Sequence, residues 1–184
     1  QLVLTGGIDD VGAFVRQNSG NSYRLGLEID ATVVLSDKFS VRPNLSLSQN
    51  KNIDFVSTFN GELRDYGNTD ISFSPEIVAG NIFNYQPVQG LELKLLSKYI
   101  GEQFMSNIEA KNSKLDSYFV NDFNVQYSWE QPWVFKEIIL TGLVNNIFNE
   151  KYVSNGYYFT FDVPNEDLPA GVQTLDGAGY YPQA

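Results

Sequence analysis

The sequence predicts an all-β protein, and within that class a segment of an antiparallel transmembrane β-barrel with about seven strands. Three observations carry this prediction. Apolar residues recur at every second position along most of the chain, charged residues occupy the alternate positions, and short connections take turns with long ones. These patterns are typical of strands that separate a lipid-facing surface from a polar interior.

Composition narrows the classes of function before any motif is considered. The 184 residues carry 12 Lys and Arg against 22 Asp and Glu, a net charge of −10, and contain neither His nor Cys. A Ser-His-Asp or Cys-His triad, a zinc site of ordinary ligands and a disulfide framework are therefore impossible within this chain. We expect no enzyme, no cofactor and no bound metal. We also expect no nucleic-acid partner, because phosphate binding needs clustered basic residues.

Five alternating segments define the predicted strands in chain order. The first covers residues 23–35 with apolar side chains at the odd numbers, and the second, residues 39–47, keeps the same phase. The third covers residues 70–86, the fourth residues 90–105 and the fifth residues 115–129. The third and fourth are about 16–17 residues long, whereas strands in soluble proteins usually have ~5–6 and a strand needs only ~9–11 to cross a bilayer.

The rest of the chain supplies two further strands and the outer connections. Residues 1–5 are predicted to form an outward strand, and residues 136–154 a strand whose facing is open because it is apolar in both phases. Long outer loops are predicted at residues 6–21, 51–69, 103–114 and from 156 onward. Pro43 and Pro75 are expected at bulges or weakly paired positions, since proline lacks the N–H that a ladder needs.

Charged residues show the strictest pattern. Within the five alternating segments all twelve fall at even numbers, opposite the apolar series. They are Arg24, Glu28, Asp30, Arg42, Asp70, Glu76, Glu92, Lys94, Lys98, Glu102, Asp116 and Asp122. A Lys or Arg facing lipid at the bilayer midplane costs ~2–4 kcal/mol, which explains an odd-numbered face without charge. A soluble β-sandwich with one buried face alternates in the same way and stays open as an alternative.

The short connections near Asp37, at residues 87–90 and at residues 130–135 are assigned to the periplasmic side. The strands then run alternately outward and inward, and the chain ends outside. Single-chain barrels have an even number of strands, with both ends normally on the periplasmic side. We therefore expect one more inward strand and a larger barrel of which this chain is a segment.

Two motifs resemble the TonB-dependent receptor family, in particular its Bacteroidota branch. The stretch Leu-Val-Asn-Asn-Ile-Phe-Asn-Glu-Lys-Tyr at residues 143–152 resembles the Asn-Asn-Leu/Ile-Phe-Asp/Asn-x-x-Tyr segment of the family's penultimate strand. Tyr-Ile-Gly-Glu at residues 99–102 resembles its Tyr-x-Gly-Glu/Gln strand. The resemblance implies a plugged outer-membrane barrel of about 22 strands, with residues 1–184 as its C-terminal part, lacking the plug, the TonB box and the final strand.

The function that the resemblance implies is TonB-dependent active uptake of a scarce nutrient, most typically an iron-siderophore chelate. The expected partners are that small-molecule nutrient or metal chelate, membrane lipid, and the TonB complex through an N-terminal part. A passive porin or adhesin-like outer-membrane barrel is the first alternative, and a soluble β-sandwich binding module the second.

Candidate site residues follow from these assignments. Ligand contacts are expected in the outer loop, where aromatic rings can stack on a catecholate or sugar and carboxylates can meet a cationic group. These residues are Tyr157, Tyr158, Phe161, Asp162, Glu166, Asp167, Tyr180 and Tyr181. The alternative role for the rings is an aromatic girdle at the membrane interface.

Two further groups of residues receive roles. The charges expected to face the lumen or plug, with mutual ion pairs as the alternative, are Glu28, Asp30, Glu76, Glu92, Lys94, Lys98, Glu102 and Asp122. The motif residues expected to be structural are Asn145, Asn146, Phe148 and Tyr152.

Overall fold

A computed structural model describes residues 2–8, 11, 14–18, 20–130 and 135–183. Antiparallel strands and one short 3₁₀ turn at Lys111–Ser113 make up the regular structure of this part of the chain. The strands are β1 (Leu2–Ile8), β2 (Phe14–Asn18), β3 (Asn21–Asp30), β4 (Val33–Ser36), β5 (Phe39–Ile53), β6 (Val56–Phe59), β7 (Glu62–Asp65), β8 (Thr69–Asp70), β9 (Ile77–Tyr85), β10 (Leu91–Ile100), β11 (Gln103–Phe104), β12 (Lys114–Leu115), β13 (Tyr118–Trp129), β14 (Ile138–Val144), β15 (Tyr152–Pro164) and β16 (Val172–Gln183). Within the described ranges, no helix has the length and apolar character needed to span a membrane.

The main sheet has the strand order β14-β13-β10-β9-β5-β3, and β4 and β8 each pair with part of β5. In its registers, odd-numbered residues lie opposite odd-numbered residues of the neighbouring strand. Leu91 lies opposite Tyr127, Leu93 opposite Tyr85, and Tyr85 in turn opposite Phe39. Odd-numbered residues of β3, β5, β9, β10 and β13 therefore share one face, and even-numbered residues share the other. This confirms the predicted antiparallel sheet with two distinct faces.

We call these the odd face and the charged face. Leu25, Leu27 and Phe119 on the odd face are 69 %, 57 % and 52 % exposed. Continuous apolar exposure of this kind marks a surface that is covered by lipid or by another protein. The charged face carries the Lys and Glu side chains of β10.

The register of β14 decides the facing that the sequence leaves open. Tyr127 lies opposite Leu140, and Trp129 lies opposite Ile138. Even-numbered residues of β14 therefore join the odd face, so the odd–even assignment of the faces reverses between β13 and β14.

Three predicted strands are shorter than expected. The strand predicted at residues 136–154 corresponds to β14, which has 7 residues. β9 has 9 residues and β10 has 10, because the chain turns at residues 71–76 and β10 stops at Ile100. Phe73 in that turn has φ of 53°. Of the twelve charges predicted to line one face, Asp70, Glu76, Glu102 and Asp116 thus lie outside the long strands, and Asp70 pairs with Lys51, an odd-numbered residue of β5.

Both prolines lie where the ladder is interrupted. The first predicted strand divides into β3 and β4, and the break lies beside Pro43, where the N–H of Ala31 donates to the Pro43 carbonyl at 3.1 Å. Pro75 lies in the turn before β9 rather than within a strand.

Three of the predicted outer loops are wrong, since each contains a hairpin: β1 pairs with β2, β6 with β7, and β15 with β16. The β6–β7 connection is the two-residue turn Asn60-Gly61, with φ of 53° and 75°. Positive φ at both central residues is the requirement of a type I′ turn, which Asn-Gly meets at low cost.

The outer ends of the strands pack together into a small lobe made of β6–β7, residues 101–117 and β15–β16. Met105, Leu115 and Tyr158 form its buried core. A polar layer adjoins that core: Asn107 is buried, and its Oδ1 accepts the N–H of Ser72 at 2.9 Å. We refer to this unit as the outer lobe.

Candidate functional site

The β15–β16 hairpin carries a row of aromatic rings on one face. Tyr157, Phe159 and Phe161 alternate along β15, with ring centroids 6.2 Å and 6.0 Å apart and interplanar angles of 20° and 25°. Tyr181 of β16 joins the row, its centroid 6.1 Å from that of Tyr157. These four side chains form a surface that we call the aromatic shelf.

Glycines on β16 form the floor of the shelf. Gly179 lies opposite Tyr157, and Gly177 lies opposite Phe159. A Cβ at Gly177 would come within 2.6 Å of the Phe159 ring, and one at Gly179 would overlap the Tyr157 ring. The rings therefore lie across the neighbouring strand, an arrangement that only glycine permits and that the aromatic cover in turn stabilises.

The shelf lies on the same side of the chain as the charged face. Tyr152 is opposite Gln183, and alternation along β16 puts Gln183 and Tyr181 on one side. Tyr152 stacks on Tyr118, an even-numbered residue of β13, with centroids 4.3 Å apart. With Tyr157 39 % exposed, Phe161 47 % and Tyr181 52 %, the shelf is open to an incoming molecule.

A cleft of about 600 Å³ adjoins the root of this hairpin, between residues 114–117 and the strand ends at 151–153 and 180–183. Two lysines border it. Lys114 pairs with Glu102 at 2.8 Å, and this hydrogen bond raises the pKa of Lys114, so the ammonium stays charged. Lys151 has no carboxylate within 4.0 Å among the described residues. Asp116 also lines the cleft, so its charge is mixed, and the two ammonium groups beside Tyr152 and Tyr180 suit an anionic ligand with aromatic groups.

The opposite face of the hairpin packs against the lobe core through Tyr158, and side-chain hydrogen bonds join its two strands there. The Tyr158 hydroxyl donates to Asp176 at 3.1 Å, and burial together with the negative charge of Asp176 raises the pKa of Tyr158. Asp162 accepts the Thr174 hydroxyl at 2.6 Å. The Tyr180 hydroxyl donates to the carbonyl of Asn112 at 2.5 Å.

The eight predicted ligand residues therefore divide into three groups. Tyr157, Phe161 and Tyr181 come together on the shelf. Tyr158, Asp162 and Tyr180 make the contacts that position the hairpin, although the Tyr180 ring also borders the cleft. Glu166 and Asp167 lie at the exposed hairpin tip, away from the other six.

The predicted lumen charges also divide. Four make ion pairs in the described part of the chain: Glu92 with Lys94 at 2.7 Å, Glu102 with Lys114, and Glu76 with Lys51 at 3.9 Å. Three exposed residues of the charged face make none there: Glu28, Asp30 and Lys98.

Asp122 has a different contact, at the root of the hairpin. Its Oδ1 accepts the N–H of Asn146 at 2.7 Å. Asn146 has φ of 49°, and its amide closes a small ring with Glu150, donating to the Glu150 carbonyl at 2.8 Å and accepting the Glu150 N–H at 3.0 Å. These bonds turn the chain out of the sheet after β14.

The other motif residues lie around this turn. Asn145 directly precedes it and is exposed, and Phe148 is 71 % exposed. Tyr152 follows the turn and makes the stack on Tyr118 described above.

Sequence reasoning missed several residues of this region. Two signals were present in the sequence. Gly177 and Gly179 could pair with a run of alternating aromatic residues, and Asn60-Gly61 is a dipeptide typical of a hairpin turn. Lys151 had no local pattern to distinguish it. Across the described ranges, no group of three or more acidic side chains is placed to hold a metal ion.

Solved structures that share this fold include two receptors. The siderophore receptor PiuA from Acinetobacter baumannii aligns with 97 % of this chain and 22 % of its own, at a TM-score of 0.60 and 18 % identity. The ferric-catecholate import receptor Fiu from E. coli K12, in its closed form, aligns with 96 % of this chain and 21 % of its own, at a TM-score of 0.55 and 15 % identity.

The chain therefore spans about a fifth of the length of these receptors. At this level of identity the likeness concerns the fold, and it confirms the fold predicted from the two motifs and the alternation. No protein-family model matches the chain, and no curated protein sequence does.

Proposed function

We propose that this chain is a C-terminal part of a TonB-dependent receptor barrel in the bacterial outer membrane, and that its outer lobe takes part in capturing an iron chelate. The odd face would contact lipid, and the charged face would line the lumen beside the plug. Coupling to the TonB complex would belong to an N-terminal part of the whole receptor.

The aromatic shelf is the observation that carries the ligand assignment. Four rings are held at fixed spacing on the side of the charged face, Tyr157 and Phe159 lie over Gly179 and Gly177, and the rings other than Phe159 are exposed. Offset stacking on such rings is worth about 0.5–1.5 kcal/mol per aromatic pair beyond area burial. A planar aromatic chelating group fits this surface, and Lys114 and Lys151 at the adjoining cleft would meet the negative charge of its ferric complex. The two structural neighbours, a siderophore receptor and a ferric-catecholate import receptor, support the same class of ligand.

The test is equilibrium binding of ferric 2,3-dihydroxybenzoate to the purified whole receptor. Removing two rings with Tyr157→Ala and Phe161→Ala should weaken binding by about tenfold, since two stacking contacts of ~0.7 kcal/mol each are lost. Tyr158→Phe is the matched control, because it changes an aromatic residue on the opposite face and leaves its ring in place. Unchanged affinity in the double variant, with the fold retained, would exclude the shelf as the binding surface.

Uptake assays separate the receptor from the passive channel. The proposal predicts that accumulation of the chelate by cells stops when TonB is deleted. Uptake that continues without TonB, together with steady ion conductance of the purified protein in planar bilayers, would favour a porin.

A further inference from the structure

Arg64 on the β6–β7 hairpin makes contacts that no role described so far requires. Its Cζ lies 5.2 Å from the centroid of the Phe59 ring and 5.1 Å from that of the Tyr66 ring. A guanidinium over an aromatic face is attracted by the negative face of the ring. Two such contacts hold the side chain in place without using any of its N–H donors in a hydrogen bond.

The hydrogen-bonding capacity of Arg64 is left free. The side chain is exposed, and within the part of the chain that the structure describes it has no carboxylate within 4.0 Å. This is unexpected in a chain with 22 acidic residues against 12 basic ones. A guanidinium carries five N–H donors in a planar fork that matches the two oxygens of a carboxylate or phosphate.

The hairpin that carries Arg64 is fixed to the rest of the lobe. The Asn60 N–H donates to the Thr174 hydroxyl oxygen at 2.7 Å, and the Thr174 N–H donates to the Asn60 side-chain oxygen at 2.8 Å. Phe59 and Tyr66 also line a small cavity of about 30 Å³ with the core residue Met105, so their rings rest on the lobe. A donor on a rigid support loses less entropy when it binds.

We propose that Arg64 is an oxyanion-binding residue, and that its guanidinium takes one carboxylate or phosphate group of an incoming molecule in bidentate fashion. Ser57, which lies directly opposite Arg64 on β6, supplies a second donor beside it. The site is on a different hairpin from the shelf and stands whether or not the lobe captures an iron chelate.

Titration calorimetry of the detergent-solubilised whole receptor tests the proposal with three probes: inorganic phosphate, citrate, and the short-chain lipid dihexanoyl phosphatidic acid. Arg64→Gln should weaken binding of at least one probe by about tenfold or more, because the charge-assisted hydrogen bonds of the guanidinium fork are lost. Arg64→Lys should retain part of the affinity, because it keeps the charge and loses the fork. The charge-matched control on the same lobe, Lys111→Gln, should bind as wild type does.

The outcomes decide both the site and the source of the anion. Binding of phosphate or citrate that depends on Arg64 assigns a soluble ligand, and dependence confined to the lipid probe assigns a headgroup. Phe59→Leu should weaken binding several-fold while leaving every charge in place, which diffuse surface attraction would not produce. The proposal is overturned if wild type binds none of the probes or if Arg64→Gln binds them as tightly as Lys111→Gln does.

Discussion

The main sheet and the outer lobe are built from the same kind of strand but are stabilised in different ways. The sheet is a single layer in which the backbone ladder is continuous and the apolar side chains of the odd face are exposed. The lobe buries its apolar residues inside itself, with Met105 and Leu115 each 2 % exposed. The sheet therefore needs a partner to cover one face, the role proposed above for lipid, whereas the lobe has an internal core of its own.

This difference explains where side-chain identity matters in each region. In the sheet, the alternation of faces is the requirement, and many apolar residues satisfy it. In the lobe, a few side chains and hydrogen bonds join segments that are far apart in sequence, such as Asn60 and Thr174, separated by 114 positions. Substitutions should therefore act through facing in the sheet and through individual contacts in the lobe.

The largest effect is expected from a charge on the odd face. Leu95→Arg near the middle of β10 should destabilise the membrane-inserted barrel by ~2–4 kcal/mol, the cost of an arginine facing lipid. Leu96→Arg, one residue further on, lies on the charged face opposite Asp122, so its effect should stay below about 1 kcal/mol. Urea unfolding of the whole receptor in liposomes measures both, and equal losses would contradict the assignment of the faces.

A cavity in the lobe core should have a comparable but local effect. Met105→Ala removes a side chain that packs with Leu115 and Tyr158, at an expected cost of about 2–5 kcal/mol. Hydrogen exchange should accelerate in residues 101–117 and in β15–β16 but not in β9 and β10. Met105→Leu keeps the volume and should cost less than about 1.5 kcal/mol. Faster exchange throughout the sheet would show that the two regions are not independent.

The pair of hydrogen bonds between Asn60 and Thr174 should give a smaller effect. Each of its two hydrogen bonds contributes about 0.5–1.5 kcal/mol. Asn60→Ala removes the acceptor of one bond and Thr174→Val removes the acceptor of the other, so the two losses should add to about 1–3 kcal/mol in unfolding of the lobe. A double variant as stable as wild type would mean that the two hairpins are held together by other contacts.

The smallest effect is a pH dependence confined to the lobe. The pKa of Tyr158 is raised above its ordinary value of 10.0, by burial first and by Asp176 second. The stabilisation is fully present below that value and is lost as the pH rises above it, because tyrosine in the unfolded chain ionises there while the buried phenol does not. Exchange in β15–β16 should therefore speed up above about pH 10.

Two variants isolate this titration from that of the other tyrosines. Tyr158→Phe should remove the alkaline loss, at a cost of about 0.5–1.5 kcal/mol for the missing hydrogen bond to Asp176. Tyr157→Phe on the exposed shelf should leave the loss unchanged. An identical pH profile for wild type and Tyr158→Phe would rule out Tyr158 as the titrating group.

Sequence patterns predict the sheet better than the lobe for a physical reason. Alternation is local, so the facing of Leu25, Leu91 or Tyr127 can be read without knowing the partner strand. The facing of Leu140 cannot, because both phases of β14 are apolar and only the register with Tyr127 decides it. The odd–even assignment of faces also fails where a turn interrupts the predicted strand. The chain turns at residues 71–76, and Asp70 lies on the same side as Lys51.

The candidate site was predictable only in part. The aromatic content of the segment from residue 156 onward identified Tyr157 and Phe161, but nothing local showed that Tyr158 faces the lobe core or that Asp162 bonds with Thr174. The Asn60-Gly61 turn could be predicted from its dipeptide. Its hydrogen bonds to Thr174 of β16 could not, because they join segments that are distant in sequence. Such contacts follow from packing and leave no period in the sequence.

The facing of β10 tests the account most directly. The 184 residues contain no cysteine, so a single cysteine can be introduced at each position from 91 to 100 and spin-labelled without competing sites in this part of the receptor. In liposomes, labels at odd positions should be relaxed by oxygen, which concentrates in lipid, and labels at even positions by a water-soluble nickel chelate. We expect relaxation by oxygen and relaxation by the nickel chelate to alternate from one residue to the next, with oxygen at the odd positions and the chelate at the even positions. Equal access of the nickel chelate to all ten positions, or the opposite phase, would contradict the account.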